Sequence, residues 1–159
     1  MYLETSFFSE CVTIRRGPID LGRRATSLDW WRRHSKAFDL FISDEVIREL
    51  SDPNFPDAVR DPALAMLSGL NALPLNSEVA SLAEVFVLER VMPSPAVSGD
   101  AVHVAVAAVH RIDYLATWNQ KHRANPNKRA HLDAICSRYR LPCPQIVTPD
   151  LLIVETGNE

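Results

Sequence analysis

The chain has 159 residues, 47% of them hydrophobic, with 17 basic and 20 acidic side chains and a formal net charge of -3. That is one domain's worth of chain, able to bury roughly two-thirds of its unfolded surface, and it excludes a disordered or low-complexity protein. The charge balance excludes a global attraction for nucleic acid, so any such binding has to use a local patch.

In chain order, Tyr2 to Glu4 is predicted as a short strand, and Thr5 or Ser6 as the cap of a helix running toward Ile14. Gly17-Pro18 and Gly22 mark a turn. A second helix is expected near Arg23 to Lys36, with adjacent Trp30 and Trp31 facing opposite ways. Phe38 to Ile42 reads as strand, and Ser43 as the cap of a helix whose apolar stripe is Val46, Ile47 and Leu50. Glu49 lies in its last turns, and Ser51-Asp52-Pro53 stops it. DAVRDPALAMLSGL is helical, with Pro62 near its start or at a kink. Ala72 to Leu75 is a further short strand. Ser77 is expected to cap the next helix, with Glu78 in its first turn and Val79, Leu82, Ala83, Phe86 and Val87 on its apolar face.

Val97 to Arg111 is predicted as helix, capped by Ser98, with Asp100 in the first turn and a face of small residues at Ala101, Ala105 and Ala108. Ile112 to Thr117 is strand, Asn127 to Tyr139 helix and Gln145 to Val147 the last strand. Five short apolar segments alternating with helices predict a parallel sheet covered on both faces. Right-handed crossovers then bring the carboxyl ends of the strands to one edge. Residues 1–150 are expected to form a single domain and 151–159 a loose acidic tail.

Cys11, Cys136 and Cys143 are odd in number and have no zinc-type spacing, which fits a reducing cytosol. No apolar run reaches the roughly 20 residues of a membrane span. The N-terminus reads as a strand interrupted by Ser9, Glu10 and Thr13, rather than as a signal peptide. A cytoplasmic protein without membrane association is expected.

Glu4 closes the first strand, Asp100 opens a helix, and Thr117 and Asn119 follow the fourth strand. These places converge on the carboxyl edge of a doubly wound sheet, where open α/β proteins do chemistry. Glu49 has to reach the same cleft from the side. Three carboxylates together are costly unless charge is offset, and no Arg or Lys is placed at a matching strand end. A hard divalent cation, Mg²⁺ or Mn²⁺, suits such oxygen ligands. It supports phosphodiester hydrolysis by neutralising the phosphate and lowering the pKa of water. Glu4, Glu49 and Asp100 are the candidate metal ligands. Asn119 offers a carbonyl, Thr117 is placed to orient Asn119 or a water, and Ser6 to bond a carboxylate or a phosphate.

Each member also has a plainer reading. Asp100 in a first helical turn is favourable through the helix dipole alone, and Glu49 is a helix acid of a kind usually solvated. Glu4, a carboxylate ending a buried strand, needs a partner. His103, three residues after Asp100, either touches the acidic site or is a hydrogen-bonded core histidine. His110, His122 and His131 lack metal-ligand spacing, and His122 with Asn125 is a candidate for the rim. Trp118 is placed either to stack on a nucleobase or to cover the core. Arg15, Arg16, Arg23, Arg24, Arg32 and Arg33 form one basic cluster. Lys121, Arg123, Lys128 and Arg129 form another. Either could carry an RNA backbone past the acids or simply be solvated. No Gly-rich phosphate loop or serine elbow is present.

The pieces YLETS, FISDEVIREL, GDAVHVAVAAVHRIDYLATWNQKHRANP and QIVTPDLL together resemble the PIN-domain family, in its branch of toxin-like ribonucleases from bacterial type II toxin–antitoxin operons. The resemblance covers nearly the whole chain. It implies an α/β fold, a three-layer α/β/α sandwich with a central parallel sheet. It also implies Mg²⁺- or Mn²⁺-dependent cleavage of RNA, with Glu4, Glu49, Asp100 and Asn119 at the family's four acidic or polar positions. A small antitoxin protein and a homodimer are the partners it implies. Two departures stand out: Glu4 replaces the usual Asp, and Asn119 replaces a frequent Asp. Weaker binding of a second ion is expected from the lost charge. The alternative is a catalytically weak or inactive PIN-like module that binds RNA or protein. A third reading is an unrelated α/β domain whose acids lie on the surface or cap helices.

Overall fold

The computed structural model describes residues 1–119 and 126–152. Five strands form one parallel sheet: β1 (Tyr2–Leu3), β2 (Phe41–Ser43), β3 (Asn71–Leu73), β4 (Tyr114–Ala116) and β5 (Gln145–Val147), in the order β3-β2-β1-β4-β5. Tyr2 stands opposite Phe41 on one side and Leu115 on the other, so β1 is the central strand. Both its side chains are fully buried, as an all-parallel sheet covered on two faces requires. The strand order reverses at β1, which places a switch-point crevice outside the carboxyl ends of β1, β2 and β4.

The helices are α1 (Thr5–Cys11), α2 (Pro18–Arg33), α3 (Asp44–Leu50), α4 (Asp57–Met66), α5 (Ser77–Leu88), α6 (Asp100–Val109) and α7 (Pro126–Arg138). They complete a three-layer α/β/α sandwich. In one group α1 packs on α2, α3 and α4; in another α5 packs on α6. Every residue of α6 from Ala101 to Ala108 is buried, and its alanines allow the close approach that a helix wedged between sheet and α5 needs. Trp30 is buried, and its indole N–H donates to the carbonyl of Leu152 at 2.8 Å. Trp31 does not face outward as expected. It is half-buried against Phe7 and Phe8, because α1 covers both tryptophans.

Several boundaries differ from expectation for local reasons. Helix α2 starts at Pro18, whose missing N–H costs nothing at a first helical position. Pro62 is accommodated inside α4. Asn76, not Ser77, caps α5, its side-chain oxygen accepting the Val79 N–H at 2.9 Å. Gly99, not Ser98, precedes α6, with φ 74° and ψ -144°, a conformation nearly reserved for glycine. Helix α6 stops at Val109 because Arg111 turns left-handed, its N–H bonding Ala108 and the Ile112 N–H bonding Ala107. The same double bond closes α5 through Arg90 and α7 through Arg140. Without the glycine that usually marks such an end, these caps are invisible to composition.

Candidate metal centre

Elements distant in sequence supply one cleft of about 420 Å³ at the carboxyl edge of the sheet. It is lined by Glu4, Ser6, Glu49, Asp100, His103 and Asn119 among the residues singled out above, and also by Thr5, Ser9, Arg48, Asp52 and Phe55. Glu4 occupies the turn between β1 and α1, where its backbone N–H pairs with the Ala116 carbonyl of β4 at 3.3 Å. Ser6 ties that turn to the end of β4. Its hydroxyl donates to the Glu4 carboxylate and accepts the Trp118 N–H at 2.8 Å. Thr117 is fully buried beneath, and its hydroxyl accepts the Asn119 N–H at 2.9 Å. The Asn119 side-chain amide then donates to both oxygens of Asp100, at 3.0 and 3.3 Å.

The other wall is α3. Glu49 accepts the Thr5 hydroxyl and stands 3.0 Å from His103 Nε2. His103 Nδ1 lies 2.7 Å from the Tyr2 hydroxyl, which in turn is 2.7 Å from Ser43 Oγ. A chain of side chains therefore runs Ser43–Tyr2–His103–Glu49–Thr5 from the middle of the sheet to the cleft. Ser43 occupies the cap position of α3 but makes no side-chain bond to that helix; the buried Tyr2 hydroxyl takes its place. Burial holds the Tyr2 phenol well above its ordinary range, so it remains a protonated donor. Burial also pushes the Glu49 carboxyl up. The His103 hydrogen bond, the Thr5 hydroxyl and the Arg48 guanidinium outweigh it and hold Glu49 below its usual range.

Glu45, Glu49 and His103 form a cluster able to coordinate a metal ion: one ligand atom from each lies within 4.8 Å of the others. His103 belongs to both expected alternatives, buried and hydrogen-bonded yet lining the cleft. Glu45 and Arg48 are new relative to the sequence reading. Glu45 is 1% exposed and accepts the Gly99 N–H at 2.6 Å, pinning the entry to α6 directly before Asp100. Arg48 binds both Glu45 oxygens, at 2.6 and 2.8 Å. No Arg or Lys was expected at a matching strand end, and Arg48 reaches the acids from the side of a helix instead. Glu45, Arg48 and Glu49 stand three and four residues apart, which puts them on one helical face; that spacing was the available signal.

Four carboxylates, Glu4, Glu49, Asp52 and Asp100, line the cleft against one guanidinium, and Arg48 is already bonded to a fifth carboxylate, Glu45. Oxygen donors in excess beside an imidazole fit a divalent cation.

Other expected residues lie elsewhere. His110 bonds the Pro74 carbonyl at 3.0 Å and His131 the Glu89 carboxylate at 3.2 Å. Trp118 covers α2, its indole donating to Ser27 at 2.8 Å with the Arg23 guanidinium 5.3 Å from the ring centre. Arg15, Arg16, Arg24 and Arg32 line a separate groove of about 830 Å³ between α1, α2 and α4. Arg33 pairs with Asp29, and Arg129 with Asp133. Lys121, His122, Arg123 and Asn125 fall outside the described residues. Cys136 is buried and Cys143 half-buried, both as free thiols. No helix among the described residues is long and apolar enough to cross a membrane. The chain matches no protein-family model, no curated protein and no solved structure.

Proposed function

We propose that this protein is a PIN-like, metal-dependent endoribonuclease, the toxin component of a type II toxin–antitoxin pair. The supporting observation is that Glu4, Glu49 and Asp100, from three separate segments, line one cleft together with His103, and that Glu49 and His103 belong to the Glu45/Glu49/His103 cluster. Mg²⁺ or Mn²⁺ bound there would neutralise phosphate charge and activate water for in-line attack. Glu4, Glu49 and Asp100 hold the cation, and Asn119 fixes the orientation of Asp100. Ser6 and Thr5 orient the Glu4 and Glu49 carboxylates. Arg16, Arg24 and Arg32 give the phosphate backbone a path along the groove that shares α1 with the cleft. The reading carries a small protein antitoxin beside the cleft and a homodimer as the expected assembly.

Cleavage of single-stranded RNA in Mg²⁺ or Mn²⁺, with Asp100→Asn as the comparison, tests it. Activity should be abolished by EDTA and should fall by orders of magnitude in the variant, which keeps an oxygen acceptor for Asn119 and stays folded. Full activity of the variant would remove the mechanism. A second reading, an RNA- or protein-binding module that does not cut, is favoured by the Asn119 amide occupying both Asp100 oxygens. Metal binding without turnover across varied RNAs would select it.

A further inference from the structure

The separation of His103 Nε2 and Glu49 Oε2 is the starting point. It is 3.0 Å. Two donors at right angles on a six-coordinate cation, with bonds of about 2.1 Å, stand about 3 Å apart. At a tetrahedral angle the same bonds would put them about 3.4 Å apart. The pair is therefore spaced as adjacent ligands of an octahedral ion, and the cleft opens onto both.

A ligating imidazole needs its other nitrogen held by a fixed partner, which sets the tautomer and the ring plane. His103 has that partner in Tyr2, and Tyr2 has its own in Ser43, each contact 2.7 Å long and buried. The protons also balance. In the metal-free protein Nε2–H donates to Glu49, and Nδ1 accepts from the Tyr2 hydroxyl. With a cation on Nε2, the imidazole proton sits on Nδ1 and donates to the Tyr2 oxygen. The Tyr2 hydroxyl then turns to donate to Ser43. The ring stays neutral and no charge is stranded in the core.

We infer that His103 Nε2 and Glu49 are neighbouring ligands of the cleft's cation, which makes it a site for a Mn²⁺-class transition metal rather than for Mg²⁺. Imidazole is a borderline ligand that hard Mg²⁺ takes reluctantly, whereas Mn²⁺ and its heavier neighbours accept it. Glu45 stays outside the coordination shell, because its oxygens already accept Gly99 and both Arg48 N–H groups. It positions the entry to α6 instead. This inference rests on the metal-dependent reading above.

The test is electron paramagnetic resonance of the full chain loaded with Mn²⁺, reading histidine nitrogen coupling, together with calorimetric titration of Mn²⁺ and Mg²⁺. Wild type should show the coupling and bind Mn²⁺ at least about tenfold more tightly than Mg²⁺. His103→Gln should lose the coupling and bring the two affinities within about threefold of each other. Glu45→Gln should keep the coupling. Should His103→Gln fail to fold, the double variant His34→Gln/His122→Gln decides by elimination, since His110 and His131 are committed elsewhere. Coupling retained there supports His103, and coupling lost overturns it. Tight Mn²⁺ binding without nitrogen coupling in wild type would overturn the inference while leaving the nuclease reading standing. No Mn²⁺ binding at all would overturn both.

Discussion

Replacing Tyr2 with Phe removes a single oxygen from the centre of the molecule and leaves the ring's packing in place. Tyr2 is fully buried on the central strand, and its hydroxyl joins Ser43 to His103 through two 2.7 Å contacts. Both partners are themselves buried, Ser43 completely and His103 to within 1%. The loss therefore strands two polar groups that water cannot reach. Each lost hydrogen bond is worth about 1 kcal/mol, and each stranded buried group costs about 1–3 kcal/mol. Partial rearrangement of Ser43 brings the expected total to about 2–4 kcal/mol. For a domain of this length that lowers Tm by about 5–15 °C. Urea unfolding followed by tryptophan fluorescence measures it in metal-free protein. The double variant Tyr2→Phe/Ser43→Ala should recover part of the loss, because one of the stranded groups is then gone. A Tyr2→Phe protein within about 0.5 kcal/mol of wild type would refute a closed polar chain beneath the cleft.

Three further outcomes follow from the same geometry. The folded Glu49 carboxyl titrates below its ordinary value of 4.5. It therefore adds stability above about pH 4.5 that is lost as pH falls through the folded value. In EDTA the stability gap between wild type and Glu49→Gln should shrink on acidification from about pH 6 to about pH 3, and a constant gap would contradict the assignment. Gly99→Ala meets no clash, the nearest atom being Glu49 Oε1 at 3.8 Å from the added carbon, but forces a side chain onto φ 74°. It should lose about 1–3 kcal/mol in thermal unfolding, and an unchanged melting curve would rule out the strain. Burial pushes the Cys11 thiol up to about 12, so in native protein at pH 8 Cys11 should resist iodoacetamide while unfolded protein is alkylated fully. Peptide mapping by mass spectrometry separates these cases.

Alternation of apolar segments with helices was enough to indicate a parallel sheet covered on both faces, because period and length are local properties of the chain. The carboxyl-edge positions of Glu4, Asp100 and Asn119 followed from the same reasoning, since right-handed crossovers leave little freedom in where strand ends meet. Asp100 was legible as the opening of a helix. What could not be read was which neighbour pins that opening. Glu45 does so from a helix more than fifty residues earlier, by accepting the backbone N–H of Gly99, which takes a positive φ.

The amino-acid order alone therefore determined the class of fold and the edge of the sheet where polar groups would gather, because hydrophobic periodicity and capping act over a few residues. Only the tertiary structure decided that Glu45 would take the Gly99 N–H, that Tyr2 would reach His103, and that Trp118 would lie on Ser27 rather than stand free. Those pairings depend on distances between side chains brought together by packing, and burial makes each of them obligatory: a polar atom removed from water must find its partner in whatever the folded chain sets beside it.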